Sequence, residues 1–281
     1  MENTMENTME NTMLNINKMD TNKYLSAEPF PHIMVDNVLD KKFALKLQNE
    51  IMETPMEKFD RYSNPFEQKW TLRDKNSLPT GCNQLFEYLN SDEWVSRLSK
   101  LVGIQLFIDP TKNFWGIHKY NAGDKLDIHV DAGIHPITKT KKEVTLGIYL
   151  SKNWTEECGC QLELWKGENS KNNNAKLIEC SKSISPMFNR MVIFTCNDYA
   201  WHGNPRPVVN KEDTDSVRIF LTISYLSNRP ELEYENKRQK AFFIALPDEE
   251  YNPEKNKLRL LRADPVMYAE IYRVQERNEM M

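Results

Sequence analysis

The chain has 281 residues, 40% of them hydrophobic and 28% charged, with only 9 Gly and 14 Pro. That is enough to bury the core of one large domain or two small ones, and it excludes collagen-like, coiled-coil and wholly disordered architectures. Lys and Arg total 37 against 41 Asp and Glu, a net charge of −4, so no global field draws the protein to nucleic acid or to an anionic membrane, and neither partner is expected.

Five cysteines without framework spacing predict reduced thiols. No apolar run approaches the roughly 18–20 residues of a membrane span, and no leader-like stretch opens the chain, so a soluble, cytoplasmic protein is expected.

The first twelve residues are MENT written three times, and with no apolar periodicity beyond them residues 1–27 are predicted as a disordered tail. Pro29 to Val35 reads as a short strand, closed by a turn at Asp36-Asn37. Asp40 is placed to cap a helix whose apolar face is Phe43, Leu47 and Ile51, and Pro55 ends it. Residues 56–78 read as polar and irregular. A second helical region spans about 79–101, with Leu85, Phe86 and Leu89 as one stripe and Asn90 with Glu93 as a capping box before Trp94, Leu98, Leu101 and Val102.

The period then changes from helical to alternating. Phe114 to Tyr120, Val144 to Leu150, Gln161 to Trp165, Met191 to Thr195 and Val217 to Leu226 all read as strands. Helices first and sheet second, without β-α alternation, predicts an α+β, mainly β fold: a jelly-roll (double-stranded β-helix) core with N-terminal helices packed on one face. The predicted organisation is a domain over 28–229, with helical support at about 40–102 and the jelly roll at about 104–228. A C-terminal extension, 230–281, with a strand-like segment at 241–246 and a helix-like one near 257–277, is expected to pack on the domain or to make an oligomer contact.

His129 and Asp131 sit at i and i+2, so on a strand both side chains point to one face, where they can take adjacent corners of a metal's coordination sphere. His202 follows the strand ending at Thr195 and can supply a third corner, completing the two-His-one-carboxylate set that leaves positions open on Fe(II). In Val217 to Tyr225 the odd positions are apolar while Arg218, Thr222 and Ser224 share the other face; a buried Arg there needs an anion, and its planar fork suits a carboxylate. In Val144 to Leu150, Thr145, Gly147 and Tyr149 share a face, giving a phenol and a glycine-made gap.

From about Pro29 to Asn228 the chain resembles a 2-oxoglutarate- and Fe(II)-dependent dioxygenase of the prolyl-4-hydroxylase-like branch. The carriers are the HxD at His129 and Asp131, His202 in WHGNP, and Arg218 opening RIFLTISY. PFPHIMVDNVL (29–39), VTLGIYLSKNW (144–154) and GCQLELW (159–165) support them.

The resemblance implies that His129, Asp131 and His202 hold iron, that Arg218 binds the distal carboxylate of 2-oxoglutarate with Tyr149, and that Tyr120 and Thr222 line the co-substrate pocket. It implies hydroxylation with release of succinate and CO2, using O2, with ascorbate as reductant; the metal carboxylate argues against halogenation. Arg218 lies 16 residues beyond His202, longer than this branch's usual gap, and the excess is assigned to a surface insertion at Val209 to Ser216.

Other histidines carry plainer readings. His32 is expected to pack at the start of the fold, His118 to be structural or at the pocket edge, and His135, four residues past Asp131, to lie in a loop or substrate lid. Cys158 and Cys160 lack a second pair at zinc spacing. Lys139-Thr140-Lys141-Lys142 reads as a solvated turn able to steer an acidic substrate. Three functions remain: hydroxylase of a peptidyl, prolyl-type substrate; hydroxylase of a small molecule such as a free amino acid or a sugar-linked metabolite; and non-enzymatic binding module. The sequence leaves the oligomeric state open.

Overall fold

The computed structural model describes residues 14–263 apart from 16–18, 113, 210–215, 231, 233, 234, 236 and 237. The MENT repeats, most of the insertion at 209–216 and the chain beyond 263 lie outside the described residues. The helices are α1 (Thr21–Leu25), α2 (Lys41–Glu53), α3 (Thr80–Leu89), α4 (Asp92–Val102) and α5 (Pro253–Ala263). The strands are β1 (His32–Asp36), β2 (Asp60–Asn64), β3 (Glu67–Leu72), β4 (Phe107–Ile108), β5 (Trp115–Tyr120), β6 (Lys125–Val130), β7 (Lys141–Tyr149), β8 (Leu162–Gly167), β9 (Leu177–Ile184), β10 (Arg190–Thr195), β11 (Trp201–Asn204), β12 (Arg218–Ser227) and β13 (Phe242–Phe243).

Among the described residues these strands form one curled sheet in the order β1-β10-β7-β12-β5-β3-β6-β11-β8-β9, with β13 added on β6, β2 on β3 and β4 on β12. The predicted class holds: the fold is mainly β, antiparallel and jelly-roll-like, with helices against one face. Period-2 alternation explains the layering. Ile219, Leu221, Ile223 and Tyr225 of β12 and Val144, Leu146 and Ile148 of β7 pack outward with Leu47, Ile51, Leu85, Trp94 and Leu98 of the helices. The same strands send their alternate side chains into the cavity described below.

The helix starts are set as capping chemistry requires. Asp40 accepts from Lys42 N and Phe43 N at 2.9 and 3.0 Å, and the buried face of α2 is Ala44, Leu47, Gln48 and Ile51, leaving Phe43 half-buried. The predicted box at Asn90 and Glu93 does not form. Asn90 ends α3, Ser91 caps α4 through Trp94 N, and Glu93 pairs with Arg97 along the helix. The helical layer is pinned to the sheet by Trp94 Nε1, which donates to Tyr225 Oη at 2.8 Å, while that hydroxyl donates to the Leu89 carbonyl.

Two expectations need correction. The tail is shorter than 1–27: Leu14 is buried, Asn15 N donates to Val38 O, and Asp20 caps α1, which buries Tyr24. Leu14 and Tyr24 are the apolar anchors that bring these residues onto the core. Residues 56–78 are not irregular but hold the β2–β3 hairpin. Its strands are polar and half-exposed, so they show no hydrophobic alternation, and β9, exposed over most of its length, was missed for the same reason.

The glycine read as a gap at position 147 is filled. A Cβ there would lie 1.9 and 2.0 Å from ring atoms of Phe220, whose ring stacks on Tyr149 with centroids 4.6 Å apart. Gly147→Ala is therefore expected to displace Phe220 and cost about 1–3 kcal/mol, as overpacking does; a thermal melt against wild type checks it, and an unchanged midpoint would refute it.

Candidate functional site

His129 is the penultimate residue of β6 and His202 sits on the adjacent β11, directly opposite it in register, which sets their rings 4.5 Å apart. Asp131 lies just past the end of β6 rather than within it. One ligand atom from each of the three residues falls within 4.8 Å of the others. Asp131 Oδ1 is 3.5 Å from His129 Nε2, and Oδ2 is 3.9 Å from His202 Nε2.

Each histidine is anchored through its other nitrogen. His129 Nδ1 donates to the Asp127 carbonyl at 2.9 Å and His202 Nδ1 to the Ala200 carbonyl at 2.8 Å. This tautomer leaves both Nε2 lone pairs facing the Asp131 carboxylate, an acceptor set suited to a cation.

Electrostatics reinforce the set. Burial alone would raise the Asp131 carboxyl, but the Lys142 ammonium, 2.6 Å from Oδ2, holds it well below the usual carboxylate range. Burial, with the His129 ring beside it, pulls His202 down to about 4, so the ring is neutral near pH 7. Because its value drops from 6.5 on folding, the unfolded chain takes up that proton first as pH falls. Stability of the metal-free protein is thus fully present above about pH 6.5 and falls progressively toward pH 4, by about 3 kcal/mol from this group. Denaturant midpoints at pH 7 and pH 4.5 read this, and equal midpoints would exclude it.

Across the cavity, Arg218 opens β12 opposite Tyr120 of β5. It is 1% exposed, among the largest fully buried side chains. Its guanidinium carbon lies 4.7, 5.0 and 5.2 Å from the ring centroids of Tyr120, Tyr149 and Phe220. Nη2 donates to Tyr149 Oη at 3.4 Å, while among the described residues Nε and Nη1 have no hydrogen-bond partner. Burial pushes the Tyr149 phenol up to about 12, keeping it neutral. A buried guanidinium with two orphaned donors is costly unless an anion completes it, and a carboxylate matches the fork.

Both halves open on one cavity of about 200 Å³, lined among others by Tyr120, His129, Asp131, His202, Arg218 and Thr222. Tyr149 is not in that lining; it stands behind Arg218 as a support. Three converging acceptor atoms on one wall could hold a cation, and the guanidinium fork on the other matches a carboxylate.

The remaining candidates resolve plainly. His118 lines the cavity edge and shares a hydrogen with Thr71 Oγ1 at 2.9 Å; burial, then Lys69, Arg73 and Arg218, hold it well below its usual range. His135 is no ligand and no lid. It is fully buried, with Nε2 against Asp109 and Thr111 and Nδ1 accepting from Ile137 N and Thr138 N. His32 is buried and bonded to the Phe30 carbonyl. Among the described residues no disulfide joins the cysteines, and no helix is long and apolar enough to cross a membrane.

The solvated turn at 139–142 is only half right. Lys139 is exposed, but Lys141 is buried against Glu235 and Lys142 is buried against Asp131. Lys69, Arg73 and Lys142 all line the cavity without having been expected there. Lys142 and its carboxylate are eleven residues apart, so no local pattern marked the pair.

The C-terminal extension also reaches the site. Phe243 pairs with His129 in register and its ring lies 5.2 Å from the imidazole, stacking on Phe66 beyond. In α5, Lys255 Nζ contacts Asp127 Oδ2 at 2.6 Å, beside the carbonyl that orients His129.

Residues 115–226, from β5 into the end of β12, match the model of the 2OG-Fe(II) oxygenase superfamily. Among solved structures, a prolyl-4-hydroxylase from Pseudomonas putida is similar at 14% identity and a TM-score of 0.54, over 74% of this chain and 97% of that one. A prolyl hydroxylase from Trichoplax adhaerens, in complex with a fragment of a hypoxia-inducible-factor oxygen degradation domain, is similar at 18% identity and a TM-score of 0.54, over 79% of this chain and 93% of that one. A search of curated protein sequences returned no match. The fold is thus that of these prolyl hydroxylases.

Proposed function

We propose that the chain is an Fe(II)- and 2-oxoglutarate-dependent dioxygenase that hydroxylates an unactivated C–H of a peptidyl substrate, prolyl in type. The observation that carries the reading is the pairing, in one cavity, of three converging acceptor atoms with a buried guanidinium whose Nε and Nη1 lack partners among the described residues.

His129, Asp131 and His202 hold Fe(II), and Arg218 receives the distal carboxylate of 2-oxoglutarate. When bound, the iron and 2-oxoglutarate supply the oxidising power from O2, with succinate and CO2 as products and ascorbate as reductant. The chain supplies position and dryness. Tyr149 and Phe220 hold the Arg218 plane, Tyr120 and Thr222 wall the co-substrate site, and the Asp127 and Ala200 carbonyls keep each Nε2 lone pair inward. The catalytic unit spans 28–229, and the cytoplasm is its compartment.

The peptidyl reading is supported by size. A cavity of about 200 Å³ is smaller than the roughly 300–1,000 Å³ of sites that enclose a whole organic ligand. It suits a co-substrate plus one reacting side chain, with the rest of the substrate outside, past Lys69 and Arg73 of the hairpin. The Trichoplax relative binds a peptide.

The test is succinate release by the full chain with Fe(II), ascorbate and 2-oxoglutarate, with and without proline-containing peptides. Peptide-dependent succinate and one added oxygen on the peptide are expected. Stimulation by free amino acids or sugar-linked metabolites alone would transfer the activity to small molecules, and absence of Fe(II)-dependent 2-oxoglutarate binding would leave a binding module.

A further inference from the structure

The cavity's unexpected lysine has a specific geometry. Lys142 reaches the site because the register of β7 against β12 slips: Tyr225 pairs with Val144, but Leu226 pairs with Lys142, leaving Glu143 as the extra residue. Thr145 and Gly147 face the cavity side, so strict alternation would turn residue 142 away; the bulge re-aims it inward. Its side chain is 8% exposed and its Nζ lies 5.0 Å from the Phe114 ring centroid.

That ammonium distinguishes the two oxygens of Asp131. Oδ2 accepts from Lys142 Nζ at 2.6 Å, from Thr145 Oγ1 at 3.3 Å and from the Cys196 thiol at 3.7 Å. Thr145 is held in turn by Ser224 Oγ at 3.1 Å and Cys196 Sγ at 3.2 Å. Oδ1, which none of these donors reaches, lies 3.5 Å from His129 Nε2, whereas Oδ2, already engaged by them, is the oxygen nearer His202 Nε2, at 3.9 Å. A carboxylate with both oxygens free can chelate a cation or swing about its Cβ–Cγ bond; with one oxygen saturated by donors it offers the other in a fixed direction.

We propose that Lys142 is a positioning residue of the metal centre: by holding Oδ2, with Thr145 and Cys196, it makes Asp131 a single-oxygen ligand through Oδ1. The inference rests on the reading of His129, Asp131 and His202 as metal ligands. It adds a requirement that the ligands alone do not contain, since residues that orient a ligand contribute to affinity and geometry as well.

The experiment measures Co(II) binding to the full chain by calorimetry, together with the Co(II) d–d absorption, which reports coordination number, for wild type, Lys142→Met, Lys142→Arg and Thr145→Val. Lys142→Met is expected to bind Co(II) about 10- to 100-fold more weakly, with a changed d–d band. Lys142→Arg, which restores a cationic donor, is expected to recover most of the affinity and the wild-type band. Thr145→Val, which removes the second donor without disturbing the lysine, should show a smaller loss in the same direction.

Unchanged or tighter binding by Lys142→Met with the wild-type band would overturn the proposal while leaving the ligand assignment standing. If Lys142→Met does not fold, unchanged affinity and band in Thr145→Val overturn it instead. Wild type that binds no Co(II) would overturn the ligand assignment and the proposal together.

Discussion

Arg218→Met is expected to abolish measurable 2-oxoglutarate binding while leaving Fe(II) binding intact. The guanidinium is buried, and among the described residues its Nε and Nη1 find no hydrogen-bond partner. Removing one partner of a buried, hydrogen-bonded charge pair costs about 2–5 kcal/mol, roughly 30-fold to several thousand-fold in affinity. The same substitution should not lower the melting temperature of the ligand-free protein. Among the described residues no carboxylate pairs with Arg218, so its burial is a cost that an apolar side chain of similar length removes. Calorimetric titration with 2-oxoglutarate and a melting curve on the same sample read both effects. Wild-type affinity would contradict the assignment of the fork, and a large drop in melting temperature would contradict the claim that Arg218 is held for ligand rather than for the fold.

His129→Ala should behave differently. It removes one of three converging ligand atoms; since losing even a residue that only orients a ligand costs about 10- to 100-fold in metal affinity, a loss of about 10²-fold or more in Fe(II) affinity is expected. Because the proposed site would hold 2-oxoglutarate through the metal as well as through Arg218, its Fe(II)-dependent binding should disappear as well, and succinate release with it. The two variants thus separate: Arg218→Met keeps metal and loses co-substrate, whereas His129→Ala loses both. Fe(II) binding that survives unchanged in His129→Ala would refute the ligand set. The ring also packs on Phe243 and His202, so a melting curve accompanies the measurement to separate a lost ligand from a lost fold.

Much of this geometry was legible in the sequence for a physical reason. Strands with one buried face alternate visibly, as in Arg218 to Tyr225, so the side of the sheet that carries Arg218, Thr222 and Ser224 could be read directly. His129 and Asp131 were legible because an i, i+2 pair shares a face. What was hidden lies where that signal fails. The β2–β3 hairpin that brings Lys69 and Arg73 to the rim has polar strands. Lys142 enters the cavity only because Glu143 is bulged out of register, and a bulge in β7 leaves no trace in a run of Lys and Glu. The placement of β13 against His129 is a long-range pairing, set by the fold and not by the local pattern of AFFIAL.

The most direct measurement is anaerobic titration of the full chain with 2-oxoglutarate, with and without Fe(II), before any substrate is chosen. Saturable binding that requires Fe(II) is what the proposed function predicts. Absence of 2-oxoglutarate binding in the presence of Fe(II), by a chain that melts as a folded protein, would contradict it.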